Sequence, residues 1–477
     1  MSPIGLAAVL LGAFLSIADF FIVNVALPTI DSRFHASSAT LELVVAGYGV
    51  PYALLLVLGG RLGDLHGRRP LFMAGMASFT VFSLLCGLAP TDVALVAFRA
   101  AQGASAALMV PQVLATIQAS SSGERRARAL GLYGATAGIA AVVGQVAGGA
   151  LVSADIAGTS WRPIFLVNVP LGLIGLVLAW RYVPVTKSDL PARIDGLGTA
   201  LLAFCVIALL VPLTEGRALG WPAWSWILLG LFVPAAVAFT FVERRLEALD
   251  GHPIVPPSLV RLPGMHRGLA IAAPFFAAFG AFMFVSALAL QRGAHLGPLG
   301  SGLALVPMAV SFLVASLLTA RLTARYGRAV ISVGAVLQGV GLAALAGTLF
   351  AAWPHVDAVN LAPAMIVAGF GQGLVLSPIF GVVLAGVPAA RAGVGSGVLV
   401  TTQQSSLALG VAGLGSLFVS LAAPGSIGMR AAFVVVLGVQ IVVAFAVAAG
   451  ALTLPRPDRA QREEPTQPLE PAAELAA

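Results

Sequence analysis

An all-α, polytopic membrane protein of fourteen spans is the fold class that this sequence predicts, and three observations carry it. Of 477 residues, 59% are hydrophobic and only 9% are charged, where a soluble domain carries about 25% charged residues. A chain so poor in charge cannot cover itself with a solvated surface. The apolar residues also fall in repeated runs near the length a helix needs to cross a bilayer, about 20 residues for about 30 Å of hydrocarbon. Nearly all the charge sits in the short breaks between these runs. The runs are too long and too uniformly apolar for barrel strands, and backbone groups in lipid must be satisfied within the segment, so each is read as a helix.

In chain order the spans are expected at 5–27, 39–59, 70–89, 93–117, 128–152, 164–183, 196–213, 223–242, 268–290, 299–320, 328–350, 358–384, 395–421 and 431–454. The first run has no basic stretch before it and no cleavage-like polar region after it, so it is read as a retained span and not as a signal peptide. Span 5 is rich in glycine, with Gly134, Gly138, Gly144, Gly148 and Gly149 among its residues; glycines four apart let helices pack closely. The longest internal loop, 243–267, mixes charge with proline and is expected to lie along the membrane surface. The tail 455–477 has no apolar run and reads as a disordered cytoplasmic extension.

Charge sets the expected orientation. Twenty of the Lys and Arg residues fall on one side of this scheme, five on the other, and Arg99 inside a span. Cytoplasmic loops carry the positive excess, so both termini are expected in the cytoplasm of a plasma-membrane protein, which requires an even number of spans. The net charge of +7 then reflects topology, and no nucleic-acid partner follows from it. Cys86 and Cys205 lie in different apolar runs and suggest neither a disulfide framework nor a metal site.

Several function classes are disfavoured. No GxxxxGK[ST] phosphate loop occurs, and the one lysine, Lys187, follows Thr186. No acidic cluster near a span suggests a metal, no nucleophile sits beside a base, and no charged ring or filter-like repeat suggests a channel. An enzyme is therefore not expected, and neither is a cofactor or a metal.

An internal repeat gives the domain organisation. Gly60–Arg68 reads GRLGDLHGR and Ala320–Arg328 reads ARLTARYGR, with Arg, Leu, Gly and Arg at the same spacing. Two six-helix bundles follow, 1–183 and 251–454, with a helix pair inserted between them at 184–250.

The chain resembles the major facilitator superfamily, in its fourteen-span branch of drug:proton antiporters. Residues 60–69 are similar to that superfamily's loop signature after span 2. Asp19 to Pro28 resembles the branch's first-helix signature; Leu95, Arg99, Gln102 and Gly103 resemble its fourth-helix motif; Trp161-Arg162 with Asn168-Val169-Pro170 resembles the stretch opening its sixth helix. Span 5 resembles the antiporter signature of the fifth helix, except that Gln145 stands where proline usually follows the glycine at 144. The resemblance implies a major facilitator fold and multidrug efflux: export of small amphipathic, lipophilic or monocationic organic compounds by a monomer in contact with membrane lipid and protons, powered by the proton gradient, with a dedicated exporter of a single metabolite or self-made antibiotic as the alternative.

Among residues well inside spans, only Asp19 and Arg99 carry charge. A charge at mid-bilayer costs about 2.5–3.5 kcal/mol even on the forgiving insertion scale, so such residues turn inward. Counted from the outer helix ends, their depths differ by about 3 Å, and an ion pair is allowed. Burial favours the neutral carboxyl while a neighbouring Arg99 favours the carboxylate. A shift in that balance would let Asp19 take up and release a proton; a permanent ion pair is the alternative. In the loop, Gly60, Asp64, Gly67, Arg68 and Arg69 are expected to latch the two bundles at the cytoplasmic face, with Arg328 as the second-half counterpart; Ala324 replaces the acidic position there. Candidate cavity residues are Asn24, Gln112, Gln145, Gln372 and Gln403, polar groups at membrane depth. Phe275, Phe279 and Phe282 join them as a stripe on one face of span 9.

Overall fold

The computed structural model describes residues 1–34, 38–187, 195–216, 219–249, 251, 253–384, 386–388, 391–423 and 425–454. Among them are fourteen helices long and apolar enough to cross a membrane, each at an expected position. They are α1 Pro3–Phe34, α2 Ser38–His66, α3 Arg68–Gly87, α4 Asp92–Ser120 and α5 Gly123–Ala154. The broken helix α6, Pro163–Tyr182, follows, then α7 Gly196–Glu215 and α8 Ala223–Ala248. The last six are α9 Pro263–Gly293, α10 Leu299–Tyr326, α11 Ala329–Ala352, α12 Ala358–Leu384, α13 Ala392–Ala422 and α14 Met429–Ala451. The tail 455–477 lies outside the described residues.

The helix ends follow local chemistry. The Thr91 hydroxyl accepts the Ala94 N–H at 3.1 Å and caps α4. The turn between α2 and α3 passes through Gly67 at φ 102°, and the turn between α10 and α11 through Gly327 at φ 58°, conformations that a side chain disfavours. The glycine shared by the two halves of the sequence repeat therefore does the same backbone task in each.

Helix pairing repeats as well. In the first half α2 packs on α4, α3 on α4, α1 on α5, α3 on α6 and α1 on α6; in the second half the same pairs recur with eight added to each number. Between the halves, α2 packs on α13 and α5 on α10 and α12. Lipid offers no hydrophobic force to drive these contacts, so they depend on close approach and hydrogen bonds. The α5 glycines serve both jobs. A Cβ at Gly144 would stand 2.6 Å from the Ala18 carbonyl oxygen and one at Gly148 2.8 Å from Ile22, both on α1. Gly134 and Gly138 instead face Ser377 of α12 and the Phe312 ring of α10, across the seam. Gly149 is buried on the same helix.

The inserted pair lies at the periphery. Helix α7 packs on α2 and α13, and α8 packs mainly on α7. Only 6% of the apolar stretch of α8 is buried, against 72% for α12; Trp226, Val237 and Phe241 point outward, as lipid-facing side chains do.

Candidate functional site

Helix α1 carries Asp19 into the middle of the first bundle, where α4 and α6 supply its partners. Its Oδ2 accepts from Arg99 Nη1, and its Oδ1 accepts from Gln102 Nε2 at 3.0 Å and from Asn168 Nδ2 at 2.7 Å. Arg99 Nη1 also donates to Gln102 Oε1 at 2.8 Å, and Nε donates to the Val44 carbonyl at 3.2 Å. Gln102 and Asn168 both reach Ser83 of α3, at 2.6 and 3.2 Å. The Arg99 guanidinium lies 4.4 Å from the Tyr48 ring centroid. Asp19, Arg99, Gln102, Ser83, Asn168 and Tyr48 are all buried.

Burying two charges is expensive unless geometry and further hydrogen bonds compensate, and removing one partner of such a pair costs about 3–5 kcal/mol. Here the carboxylate is held by three donors, two of them charge-neutral amides that can still bond it when it is protonated. Arg99 Nη2 is buried with no partner, so the guanidinium is the less satisfied member. The sequence pointed to the pair by depth alone. It missed that Gln102, Asn168 and Ser83 close around it, although the first two stood in the quoted motifs.

A small cavity lies between the bundles, beside this network. The first bundle contributes Ser16, Ile17, Phe20, Phe21, Tyr52, Ala137 and Gly138 to it; the second contributes Phe276, Phe279, Leu376, Gln403, Gln404 and Leu407. Asp19 is not in its wall. Tyr48 stands between the two sites. One side of its ring meets Arg99, its hydroxyl donates to the Ser16 carbonyl at 2.9 Å, and its ring lies 6.1 Å from Phe20 and 5.6 Å from Tyr52.

Of the expected cavity residues, Phe279 and Gln403 line this space. Phe275 packs on Phe276 inside the second bundle, with ring centroids 5.6 Å apart, and it is Phe276 that reaches the cavity. Phe282 and Gln372 belong to a separate, small cavity in the second bundle, with Gln338 and Gln440. Gln112 is committed to backbone, donating to the Gly59 carbonyl at 2.8 Å. Gln145 bridges the bundles to the Met283 sulfur at 3.8 Å without lining the cavity. The side chain of Asn24 lies outside the described residues.

Beyond the cavity, towards the end of the molecule that holds Met1 and Leu454, the bundles are pressed together. The Gln118 amide donates to the carbonyls of Leu384 and Val387 at 3.0 and 3.2 Å, and the Ser396 hydroxyl to Pro111 at 3.1 Å. Tyr133 meets Phe380 edge-on at 4.9 Å. A Cβ at either Gly60 or Gly393 would collide with the carbonyl oxygen of the other. Asp64 is paired with Arg68 at 2.9 Å, both buried, and its carboxylate abuts Gly393 in the first turn of α13, where a helix presents its positive end. Arg69 donates to the Trp180 carbonyl of its own bundle. Arg328 does not join the latch, contrary to expectation. It donates to the Leu454 carbonyl at 2.6 Å within the second bundle, because Ala324 leaves it no acid to meet.

A central cavity and a plug of crossed helices between two repeated six-helix bundles, with a buried ion pair inside the first, define a multi-pass membrane protein of the secondary-transporter class. The chain belongs to the Major Facilitator Superfamily, whose family model matches residues 9–411. It is 35% identical over 415 residues to a probable actinorhodin transporter of Streptomyces coelicolor, covering 87% of this chain and 72% of that one. It is 34% identical over 415 residues to the puromycin resistance protein pur8 of Streptomyces alboniger, covering 86% and 80%. With the multidrug resistance protein Stp of Mycobacterium tuberculosis the figures are 32% over 409 residues, 85% and 74%. Two solved structures share the fold: the human organic anion transporter MFSD10, with a TM-score of 0.65 at 16% identity over 94% of this chain and all of that one, and the proton:xylose symporter XylE, at 0.63 and 14% over 93% and 94%.

Proposed function

We propose that this protein exports lipophilic organic compounds through the plasma membrane in exchange for protons, with Asp19 as the proton carrier and Arg99 as its counter-charge. The observation that carries this reading is the placement of Asp19: a buried carboxylate held by donors from two other helices, one aromatic ring away from a cavity that both bundles build. Helices that shift relative to one another change how many donors reach the carboxylate, and with them its hold on a proton. Moving one charge through the membrane potential is worth about 2.3 kcal/mol per 100 mV, enough to bias such a cycle.

The Arg-rich end, which holds both Met1 and Leu454, is read as cytoplasmic by the positive-inside rule. The plug at Gly60, Asp64 and Gly393 is then a closed cytoplasmic gate. Export is supported by relatives named for drug and antibiotic resistance. A dedicated exporter of one self-made antibiotic is the second reading, supported by a relative named for a single compound, actinorhodin.

The test is transport of a fluorescent lipophilic compound into inverted vesicles under an imposed pH gradient. Gradient-dependent uptake by the wild type and its loss in Asp19→Asn is the expected result. A panel of unrelated compounds separates a broad exporter from a narrow one. Full coupled transport by Asp19→Asn would remove Asp19 from the mechanism.

A further inference from the structure

The inserted helix pair holds two acidic groups that the transport reading does not use. Glu243, near the end of α8, is only 1% exposed. Its Oε2 accepts the Val255 N–H at 2.7 Å, which ties the loop leading to the second bundle onto α8. Asp195 stands at the start of α7, where a helix presents its positive end. A Cβ placed on Gly198, in the first turn of α7, would lie 2.1 Å from Asp195 Oδ2 and 2.4 Å from Glu243 Oε1, so both oxygens crowd one point. Both oxygens are buried, and no donor among the described residues reaches either of them.

Two ionised carboxylates only accept, so they cannot bond each other, and like charges that share a site drive one group to keep its proton. The carboxyl groups of Asp195 and Glu243 lie within hydrogen-bonding reach of one another. One shared proton supplies the donor that both oxygens lack. The other charged groups nearby do not take its place. Arg61 of α2 faces Glu243 and also Asp64 and Arg391, but it bonds neither oxygen. On α8 itself, Arg244 and Arg245 are exposed, and Glu247 accepts from the Ser258 N–H at 3.1 Å. A hard metal ion would need more oxygen ligands than these, and among the described residues no group of three His, Cys, Asp or Glu comes together. Asp195 is partly exposed, which gives a proton its way in from solvent.

We infer that Asp195 and Glu243 form a second proton-binding site, a carboxyl pair holding one proton where the inserted helices meet Arg61 of the first bundle and the loop to the second. It is separate from Asp19, and filling it needs neither cargo nor gradient. With the proton in place, the pair clasps the start of α7 to the end of α8 and, through Val255, to the loop. Loss of the proton sets two like charges face to face in a buried place, where solvent screens them little. The start of α7 and the end of α8 then part, and the added negative charge draws on Arg61, which the gate residue Asp64 also faces. The clasp is closed at low pH and opens as pH rises.

The experiment follows the infrared C=O stretch of protonated carboxyl groups in purified, detergent-solubilised protein as pH is raised, with amide hydrogen exchange read on the same samples. The wild type is expected to show a protonated-carboxyl band that disappears on raising the pH. Glu243→Gln should lack that band, and so, independently, should Asp195→Asn if the first does not fold. The Asp19→Asn/Arg99→Gln double variant should keep it. Exchange of the segment containing Val255, corrected for the intrinsic effect of pH, should quicken about tenfold in the wild type as the band disappears. In Glu243→Gln, whose amide mimics the protonated acid, it should stay slow throughout. The same titrating band in the folded Glu243 and Asp195 variants, its loss in the Asp19→Asn/Arg99→Gln variant, or exchange that does not follow the band each overturns the inference. A protein that shows the band as expected but moves no compound under a pH gradient would overturn the transport reading and leave this one standing.

Discussion

The two bundles share a helix plan but not a core chemistry. In the first, α1, α3, α4 and α6 bring together Asp19, Ser83, Arg99, Gln102 and Asn168. In the second, the equivalent helices α11, α12 and α14 bring Gln338, Gln372 and Gln440 around a small cavity, and α9 contributes only Ala278 and Phe282. One core holds a charged pair with its donors; the other holds three neutral amides. Gln440 donates to the Ala278 carbonyl at 3.3 Å, and the Gln372 Oε1 is buried without a partner. Two halves that pack alike can thus differ in their ionisable groups while both build the cavity and the gate. The latch divides in the same way. Asp64 and Gly60 reach across to α13, while the second-half loop, lacking the acid, ties Arg328 to its own bundle.

Charge changes in the first core should have the largest effects and should be asymmetric. Asp19→Asn leaves Arg99 buried and charged, since a guanidinium does not release its proton, and should cost about 3–5 kcal/mol of stability. Arg99→Gln leaves a carboxyl that can take up a proton, and should cost less. Thermal unfolding of the purified variants checks the order, and the charge-neutral Asp19→Asn/Arg99→Gln double variant should recover part of the loss while remaining without coupled transport. Equal losses for the two single variants would break the contrast between the members of the pair.

The latch comes next. Gly393→Val has no room beside Gly60 and should slow transport about tenfold or more, equivalent to about 1.4 kcal/mol, by holding the bundles apart. Asp64→Asn should act in the same direction and more weakly. Arg328→Gln should leave transport within about twofold, because its bond to the Leu454 carbonyl is made inside the second bundle. Vesicle transport rates read all three.

The smallest effects are expected in the second core. Gln372→Leu removes an unsatisfied buried oxygen, and such a change is neutral to stabilising by about 1 kcal/mol. It should leave the dependence on the pH gradient unaltered. A loss of gradient dependence in Gln372→Leu or Gln440→Leu would mean that both cores take part in proton handling.

Some of this was legible in the sequence and some was not, for physical reasons. Spans declare themselves by length and apolarity, and a charged residue at membrane depth declares itself by its cost, so the fourteen helices and the Asp19–Arg99 pair could be read directly. Which face of a membrane helix meets the cavity could not. A helix that is apolar all round has no polar face to orient it, so the stripe Phe275, Phe279, Phe282 looked like one wall. In the structure Phe279 meets the cavity together with Phe276, one residue off the stripe. Glutamines were ambiguous for a related reason. Gln112, Gln145, Gln372 and Gln403 share a residue type and a depth, yet one binds backbone, one bridges to a sulfur, one faces the second-bundle cavity and one lines the central cavity. The partner of an amide is set by which helix lies opposite, and that is long-range information.

Whether proton exchange belongs to the Asp19–Arg99 pair of the first bundle can be read from proton release by the purified protein on binding its cargo, followed with a pH indicator in weakly buffered detergent solution. Cargo-dependent proton release is expected from the wild type, and none from the Asp19→Asn/Arg99→Gln double variant that still binds. Undiminished release from that variant would contradict this assignment and move the proton-carrying group elsewhere in the chain.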